Sequence, residues 1–289
     1  SSTCSKTILS FHLKYETGEG AGDFYTDNFY YINNREFKLV FGLATQTYFP
    51  TNVADGIIGL GHTYESNNAM LFIHMINAAG ISNSESFSLK FGNNIGSGTS
   101  GKLIIGKHND FSKSNLPSCP VKKEEDLWIC QLNGFGLKTS ANEIKTKNSY
   151  NVIFDTGTNN IFLPMDYFNQ IDSQFPKINC ISITNEEQDK FQIICRAIVE
   201  LPIFTFEING NTLVIPNYYA FTRNGQFYFS NVIFTKSEKY IIGTPFFLSY
   251  HTLFDKENEK LVFYPEQNIN KQLNLENSEK IIDKKNLFS

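Results

Sequence analysis

Short apolar runs set the pattern of this chain. Ile8 to Lys14, Phe24 to Ile32, Lys38 to Ala44, Lys102 to Gly106, Ile203 to Ile208 and Lys260 to Tyr264 alternate polar with apolar positions or are rich in β-branched and aromatic residues, as strands are. Between such runs stand turn formers, among them Asn33-Asn34, Asn93-Asn94, Asn209-Gly210-Asn211 and Arg223-Asn224-Gly225, which favour tight hairpins. Two stretches read as helical. Met70, Ile73 and Ile76 recur at helical spacing within Asn68 to Ala79, and Pro164 suits the first turn of a helix over Pro164 to Gln174. The pattern predicts a mostly β protein.

Ala54-Asp55-Gly56-Ile57-Ile58-Gly59-Leu60 and Ile241-Ile242-Gly243-Thr244-Pro245 each place two β-branched residues before a glycine, an internal echo that suggests two related lobes. The polar segment from His108 to Pro120 is the expected boundary, giving a first lobe over residues 1–115 and a second over 116–268. From Asn270 the chain turns charged and poor in aromatics, so residues 269–289 are expected to be an appended tail.

With 289 residues, 41% of them apolar, the chain can bury a core in each lobe without relying on staples. Its net charge of −4 is spread along the sequence, with neither a basic stripe for nucleic acid nor a polybasic patch for a membrane surface. The apolar run at Leu71 to Gly80 falls well short of the roughly 20 residues that cross a bilayer. Ser1-Ser2-Thr3-Cys4 carries neither an initiator Met nor a leader pattern and reads as an interior cut. Of five cysteines, Cys119 and Cys130 flank a charged turn, Cys180 and Cys195 flank a polar loop, and Cys4 is left over. Two disulfides with a lost upstream partner fit this count, and so do five free thiols in a reducing compartment. Neither spacing matches a zinc pattern, and the five histidines, His12, His62, His74, His108 and His251, fall in unrelated contexts, so no metal site is expected. No Asn-x-Ser/Thr acceptor occurs.

One segment carries chemistry. Asn151-Val152-Ile153-Phe154-Asp155-Thr156-Gly157-Thr158 runs an apolar strand straight into a carboxylate and then a turn. A strand end holds Asp155 rigidly, and Gly157 lets peptide N–H groups and the Thr158 hydroxyl approach it. Asp before Gly is more often a turn cap, and the triplet alone is weak. Its surroundings raise its weight. Over residues 1 to about 267 the sequence resembles the pepsin-like aspartic proteases of eukaryotes. Ile153 to Thr158 is similar to the catalytic loop of that family's C-terminal lobe, Ile241-Ile242-Gly243 to the strand returning beneath it, and Phe246 to Asp255 to the closing segment. Ala54 to Leu60 resembles the return strand of the N-terminal lobe, with Asp55 structural there, and Leu13-Lys14-Tyr15-Glu16-Thr17-Gly18 resembles the flap that closes over bound peptide. Leu103 to Gly106 and Leu127-Trp128 to Leu137 resemble strands of the sheet joining the lobes. Asn159 departs from the small residue usual at its position.

The resemblance implies a bilobal acid-protease fold with an incomplete N-terminal lobe, and Asp155 as a catalytic residue. It implies Tyr15, Thr17, Gly18, Gly157 and Thr158 as substrate-binding positions, an extended peptide or protein as substrate, a monomer, no metal or organic cofactor, and a secreted or lysosome- or vacuole-like acidic setting. Asp-Thr-Gly occurs once, where the family has one per lobe. Members cleave peptides with two carboxyls about 3 Å apart that share a proton, one taking a proton from water while the other hydrogen-bonds the scissile carbonyl. A lone Asp155 is expected to give little hydrolysis. The alternative is a relative without catalysis that binds peptides. The sequence does not reveal cleavage preference or an activating step.

Overall fold

The computed structural model describes the chain except residues 1, 16, 17, 32–34, 49–55, 63–75, 78, 79, 81, 93–100, 107, 114, 124, 125, 179, 186–188, 197–199 and 267–289. The tail and Asp55 therefore lie outside the described residues, as does the helix expected over Asn68 to Ala79 except for Ile76 and Asn77, which are helical. The chain divides into two compact units, residues 1–85 and 86–289.

The first unit holds three long antiparallel strands, β1 (Ser5–Tyr15), β2 (Gly18–Tyr31) and β3 (Arg35–Tyr48), in the order of the chain. The apolar runs at 8–14 and 38–44, and the described part of 24–32, residues 24–31, fall on them. Phe11 meets Phe24 at 5.3 Å between ring centres, and Phe29 lies 6.2 Å from both Phe37 and Phe41. Residues 56–60, expected as a return strand, are not in one, and Ile57 and Ile58 are 65% and 59% exposed. No described strand lies alongside to complete a ladder, so two β-branched residues alone do not make a strand here.

The second unit contains two sheets. Five strands, β4 (Phe87–Phe91), β5 (Gly101–Ile105), β6 (Ser118–Pro120), β18 (Tyr250–Asp255) and β19 (Lys260–Pro265), pair in the order β5-β4-β18-β19-β6. The larger, eleven-stranded sheet takes in β7 (Ile129–Lys138), β8 (Glu143–Lys145), β9 (Tyr150–Phe154), β10 (Ile161–Pro164), β11 (Cys180–Asn185) and β12 (Lys190–Arg196). It is completed by β13 (Ile203–Ile208), β14 (Asn211–Ile215), β15 (Phe221–Asn224), β16 (Phe227–Thr235) and the two-residue β17 (Ile241–Ile242). Its spine runs β11-β12-β16-β10-β17-β9-β7-β13-β14. Of the two segments expected to share one joining sheet, Gly101–Ile105 lies in the five-stranded sheet but Ile129–Lys138 pairs with β9 and β13 in the other. That placement is dictated by its apolar residues: Leu132, Phe135 and Leu137 are buried against the larger sheet's core.

Strands form where the turn chemistry allows. Between β13 and β14 a two-residue loop, Asn209 (φ 48°) and Gly210 (φ 76°), joins paired Ile208 and Asn211, and Asn-Gly is the pair that accepts positive φ at both positions of a type I′ turn. Pro164 (φ −58°) caps helix α1 (Met165–Ile171), which passes into a 3-10 segment over Asp172–Ile178 and buries Tyr167, Phe168 and Ile171. Phe135 is the hub beneath it, its ring centre 5.5 to 5.9 Å from those of Phe206, Phe204, Phe234 and Tyr167. A buried aromatic ring contributes about 1.5–3 kcal/mol by transfer from water, so this cluster is a main source of the unit's stability.

Both expected disulfides are present, Cys119–Cys130 and Cys180–Cys195, and Cys4 is free and exposed. Cys180 and Cys195 are directly opposed in the β11–β12 pair. Closing a loop of 15 residues restricts the unfolded chain, so the double Cys180→Ser, Cys195→Ser variant is expected to lose about 2–3 kcal/mol, read as a lower denaturant midpoint.

Glu266, 6% exposed just past β19, has Lys90 Nζ at 3.5 Å, too far for a good hydrogen bond. Burial pushes its carboxyl above the usual carboxylate value, Lys90 opposing and Asp110 reinforcing the shift. The folded chain thus holds this proton more tightly than the unfolded one, so the penalty applies above the folded value and fades as pH falls through it. Glu266→Gln is expected to raise Tm by about 2 °C at pH 7 and to leave it unchanged at pH 3, checked by calorimetry at both.

Candidate active site

β9 carries the chain into Asp155 with Val152 and Phe154 buried on one face. Phe154 stacks on Phe263 at 5.5 Å and meets the edge of Phe246 at 5.3 Å, so the residue before the carboxylate is clamped in the core. Such aromatic pairs add about 0.5–1.5 kcal/mol each beyond area burial.

The loop from Asp155 to Asn160 then returns as β10, but β9 and β10 are not neighbours. β17 lies between them, parallel to β9 (Ile241 opposite Ile153, Ile242 opposite Phe154) and antiparallel to β10 (Ile241 opposite Phe162). Asp155 N–H donates to Ile242 O at 3.1 Å, and Ile153 N–H to Tyr240 O at 2.9 Å. After the inserted strand, Gly243 lets the backbone pass against the loop: a Cβ there would stand 2.1 Å from Asn160 O and 2.3 Å from Thr158 O. Thr244 closes the crossing, its N–H and hydroxyl both donating to Thr158 O at 2.8 and 2.9 Å. Helix α2 (Asn217–Ala220) precedes β15, and helix α3 (Thr244–Ser249) starts at this crossing, burying Phe246 and Phe247.

The carboxylate is held at both oxygens. Gly157 N–H donates to Oδ1 at 2.9 Å and the Thr158 hydroxyl to Oδ2 at 2.6 Å. A side chain at 157 would bring a Cβ to 3.2 Å from Oδ1, so glycine keeps the approach open. Asp155 is half-buried, while Gly157 and Asn159 are exposed. The arrangement is a rigid, accessible carboxylate with its orientation fixed by two donors, able to accept a proton from a water or hydrogen-bond a polar ligand.

Asp155, Gly157 and Thr158 thus come together, the latter two through their bonds to the carboxylate. Tyr15 and Gly18 are paired at the ends of β1 and β2 in the first unit, as a hairpin requires, and Thr17 lies outside the described residues. Thr244 has a part in the site that the sequence reading did not give it. The signal was its place directly after Gly243, but a hydroxyl bond spanning 86 residues is not visible in one dimension.

The chain resembles known proteins over nearly all its length. Gastricsin of Cavia porcellus is 26% identical over 276 residues, covering 91% of this chain and 67% of the relative. Gastricsin of Homo sapiens is 24% identical over 273 residues (91% and 68%), and embryonic pepsinogen of Gallus gallus 22% over 269 (90% and 67%). No helix of the described residues is long and apolar enough to cross a membrane. The sequence model of the eukaryotic aspartyl protease family matches residues 1–265, spanning the inserted strand, the Asp-Thr-Gly loop beside it and both units, and this chain belongs to that family.

Proposed function

We propose that the protein is an aspartic-type endopeptidase in which Asp155 activates the water that attacks the scissile carbonyl. The observation that carries this reading is the Asp155 carboxylate itself, fixed at one oxygen by a backbone amide and at the other by a hydroxyl on a loop locked from below. A carboxylate positioned in this way can serve as one member of a pair of acids sharing a proton, which titrates as a unit. In the ionised state it takes the water's proton. Its partner, protonated, donates to the carbonyl oxygen as negative charge develops there, and the proton later reaches the leaving amine. The substrate is an extended peptide held by main-chain pairing, with Tyr15, Thr17 and Gly18 in contact with it. The setting is a secreted or otherwise acidic compartment, and the protein acts as a monomer.

A second reading rests on a specific observation: Asp-Thr-Gly occurs once in the 289 residues. A chain with one such carboxylate would bind peptides without cutting them. The two are separated by incubating the purified 289-residue chain with denatured protein at about pH 4, with and without a statine-type transition-state analogue. Cleavage is expected to be absent from this chain and to appear, inhibitor-sensitive, when a second Asp-Thr-Gly or Asp-Ser-Gly loop is supplied in the same polypeptide. If the completed protein binds the inhibitor but cuts nothing, the binding reading replaces the catalytic one.

A further inference from the structure

Away from the Asp155 loop in sequence, three side chains of the second unit meet, two of them, Asp110 and His251, 141 residues apart. The segment after β5 turns through a short 3-10 helix, Asn109–Ser112, which brings His108 and Asp110 against His251 of β18. Asp110 Oδ2 lies 3.3 Å from His108 Nδ1 and 3.1 Å from His251 Nδ1, and the three donor atoms are all within 4.8 Å of one another. A tetrahedral zinc ion with bonds of about 2.0–2.1 Å separates its ligand atoms by about 3.3 Å, so two of the three edges already have the right length.

His251 is fully buried, with Nδ1 3.1 Å from Asp110 Oδ2 and Nε2 3.0 Å from Ser88 Oγ on β4; without an ion Nδ1–H donates to the carboxylate, and an ion at Nδ1 would displace that proton and leave Nε2–H to donate to the hydroxyl. His108 Nδ1 accepts from Asp110 N–H at 3.3 Å, so its lone pair also lies on this side. With that proton displaced, two nitrogen lone pairs and a carboxylate oxygen converge on one point. Such a set repels itself unless a proton or a cation sits among the three atoms. Phe111 covers His251 from the side at 4.7 Å between ring centres, while the side chains of Asp110 and His108, 26% and 39% exposed, leave a path for the ion and for a water as fourth ligand.

We infer that His108 Nδ1, Asp110 Oδ2 and His251 Nδ1 form a binding site for one divalent transition-metal ion, with zinc best matched to two imidazoles and a carboxylate. The ion would staple the turn at 108–112 to β18, and so to the five-stranded sheet, with the weak bond from Asp110 N–H to His108 yielding to it. The site stands apart from the proposed hydrolysis, and neither depends on the other.

The test uses the full chain, stripped with a chelator and titrated at pH 7.5 with zinc in a calorimeter, with cobalt(II) as the spectroscopic probe. One equivalent is expected to bind, with the visible absorption of tetrahedral cobalt and a rise in Tm that chelator reverses. His108→Ala and Asp110→Asn, at the exposed side of the site, are expected to keep the apo protein's Tm and circular dichroism and to lose more than about 100-fold in affinity. Ser88→Ala, which removes the outer partner, is expected to lose about 10-fold. His12→Ala, in the first unit where His12 faces Glu19 at 3.4 Å, is expected to bind as before. The inference is overturned if the wild type takes up no zinc, if His108→Ala and Asp110→Asn bind as well as it does, or if His12→Ala abolishes uptake.

Discussion

Asp155→Asn, made in a polypeptide that also carries a second Asp-Thr-Gly or Asp-Ser-Gly loop, is expected to lower kcat by roughly 10²–10⁴-fold at pH 4 with KM nearly unchanged. The substitution keeps the shape of the side chain, so the Gly157 amide still has an oxygen to bond, and the Thr158 hydroxyl need only turn to accept from the new amide. Stability should therefore change by less than about 1 kcal/mol, the scale of one rearranged hydrogen bond on a half-exposed side chain. What is lost is the proton acceptor. An amide cannot take a proton from water, nor can it share one with a second acid, so both halves of the pair stop working at once. A variant that folds, binds the inhibitor and still cuts at the wild-type rate would remove Asp155 from the chemistry.

The second large effect is on folding. Gly243→Ala should destabilise the second unit by about 3 kcal/mol or more, a fall in Tm of at least about 6 °C. The backbone at Gly243 has φ −104° and ψ −158°, which any residue can adopt, so the penalty is steric and not conformational. A methyl group 2.1 Å from Asn160 O and 2.3 Å from Thr158 O meets backbone atoms that have no rotamer to escape into. The loop must retreat, and the two Thr244 bonds to Thr158 O and the Asp155 N–H bond to Ile242 O go with it. Gly59→Ala is the control, since a Cβ there meets nothing within 4 Å, and its cost should stay below about 1 kcal/mol. Equal Tm losses for the two variants would mean that β17 is not wedged against the loop.

The sequence was most readable where local chemistry decides the structure. Ile203 to Ile208 is strand β13 with the same bounds, Lys260 to Tyr264 is β19 to within one residue, Asn209-Gly210 is the turn its residue types require, and Pro164 heads a helix. Asp155, Gly157 and Thr158 were legible because their contacts span three residues at most. Long-range pairing was harder to read. Residues 129–138 have the composition of a central strand, but nothing within them says which of two sheets they join. Residues 56–60 echo 241–245, yet among the described residues only Ile241 and Ile242 have strand neighbours on both sides, which is what turns two β-branched residues into a strand. The pairing of His108 and Asp110 with His251 was invisible for the same reason: three ordinary residues acquire meaning only when β18 folds back beside the segment that follows β5.

The wedge between β9 and β10 also orders events in time. A ribosome that has made Asp155 and Thr158 has still not made the strand that separates β9 from β10, and must add 86 residues after Thr158 before Thr244 can seal the loop. Contacts closed over so long a stretch slow folding. Until translation passes Thr244 the nascent chain therefore exposes two apolar strands with a gap for a third, and a message cut short anywhere upstream yields a product needing a chaperone's grip or a degradation tag rather than a folded lobe.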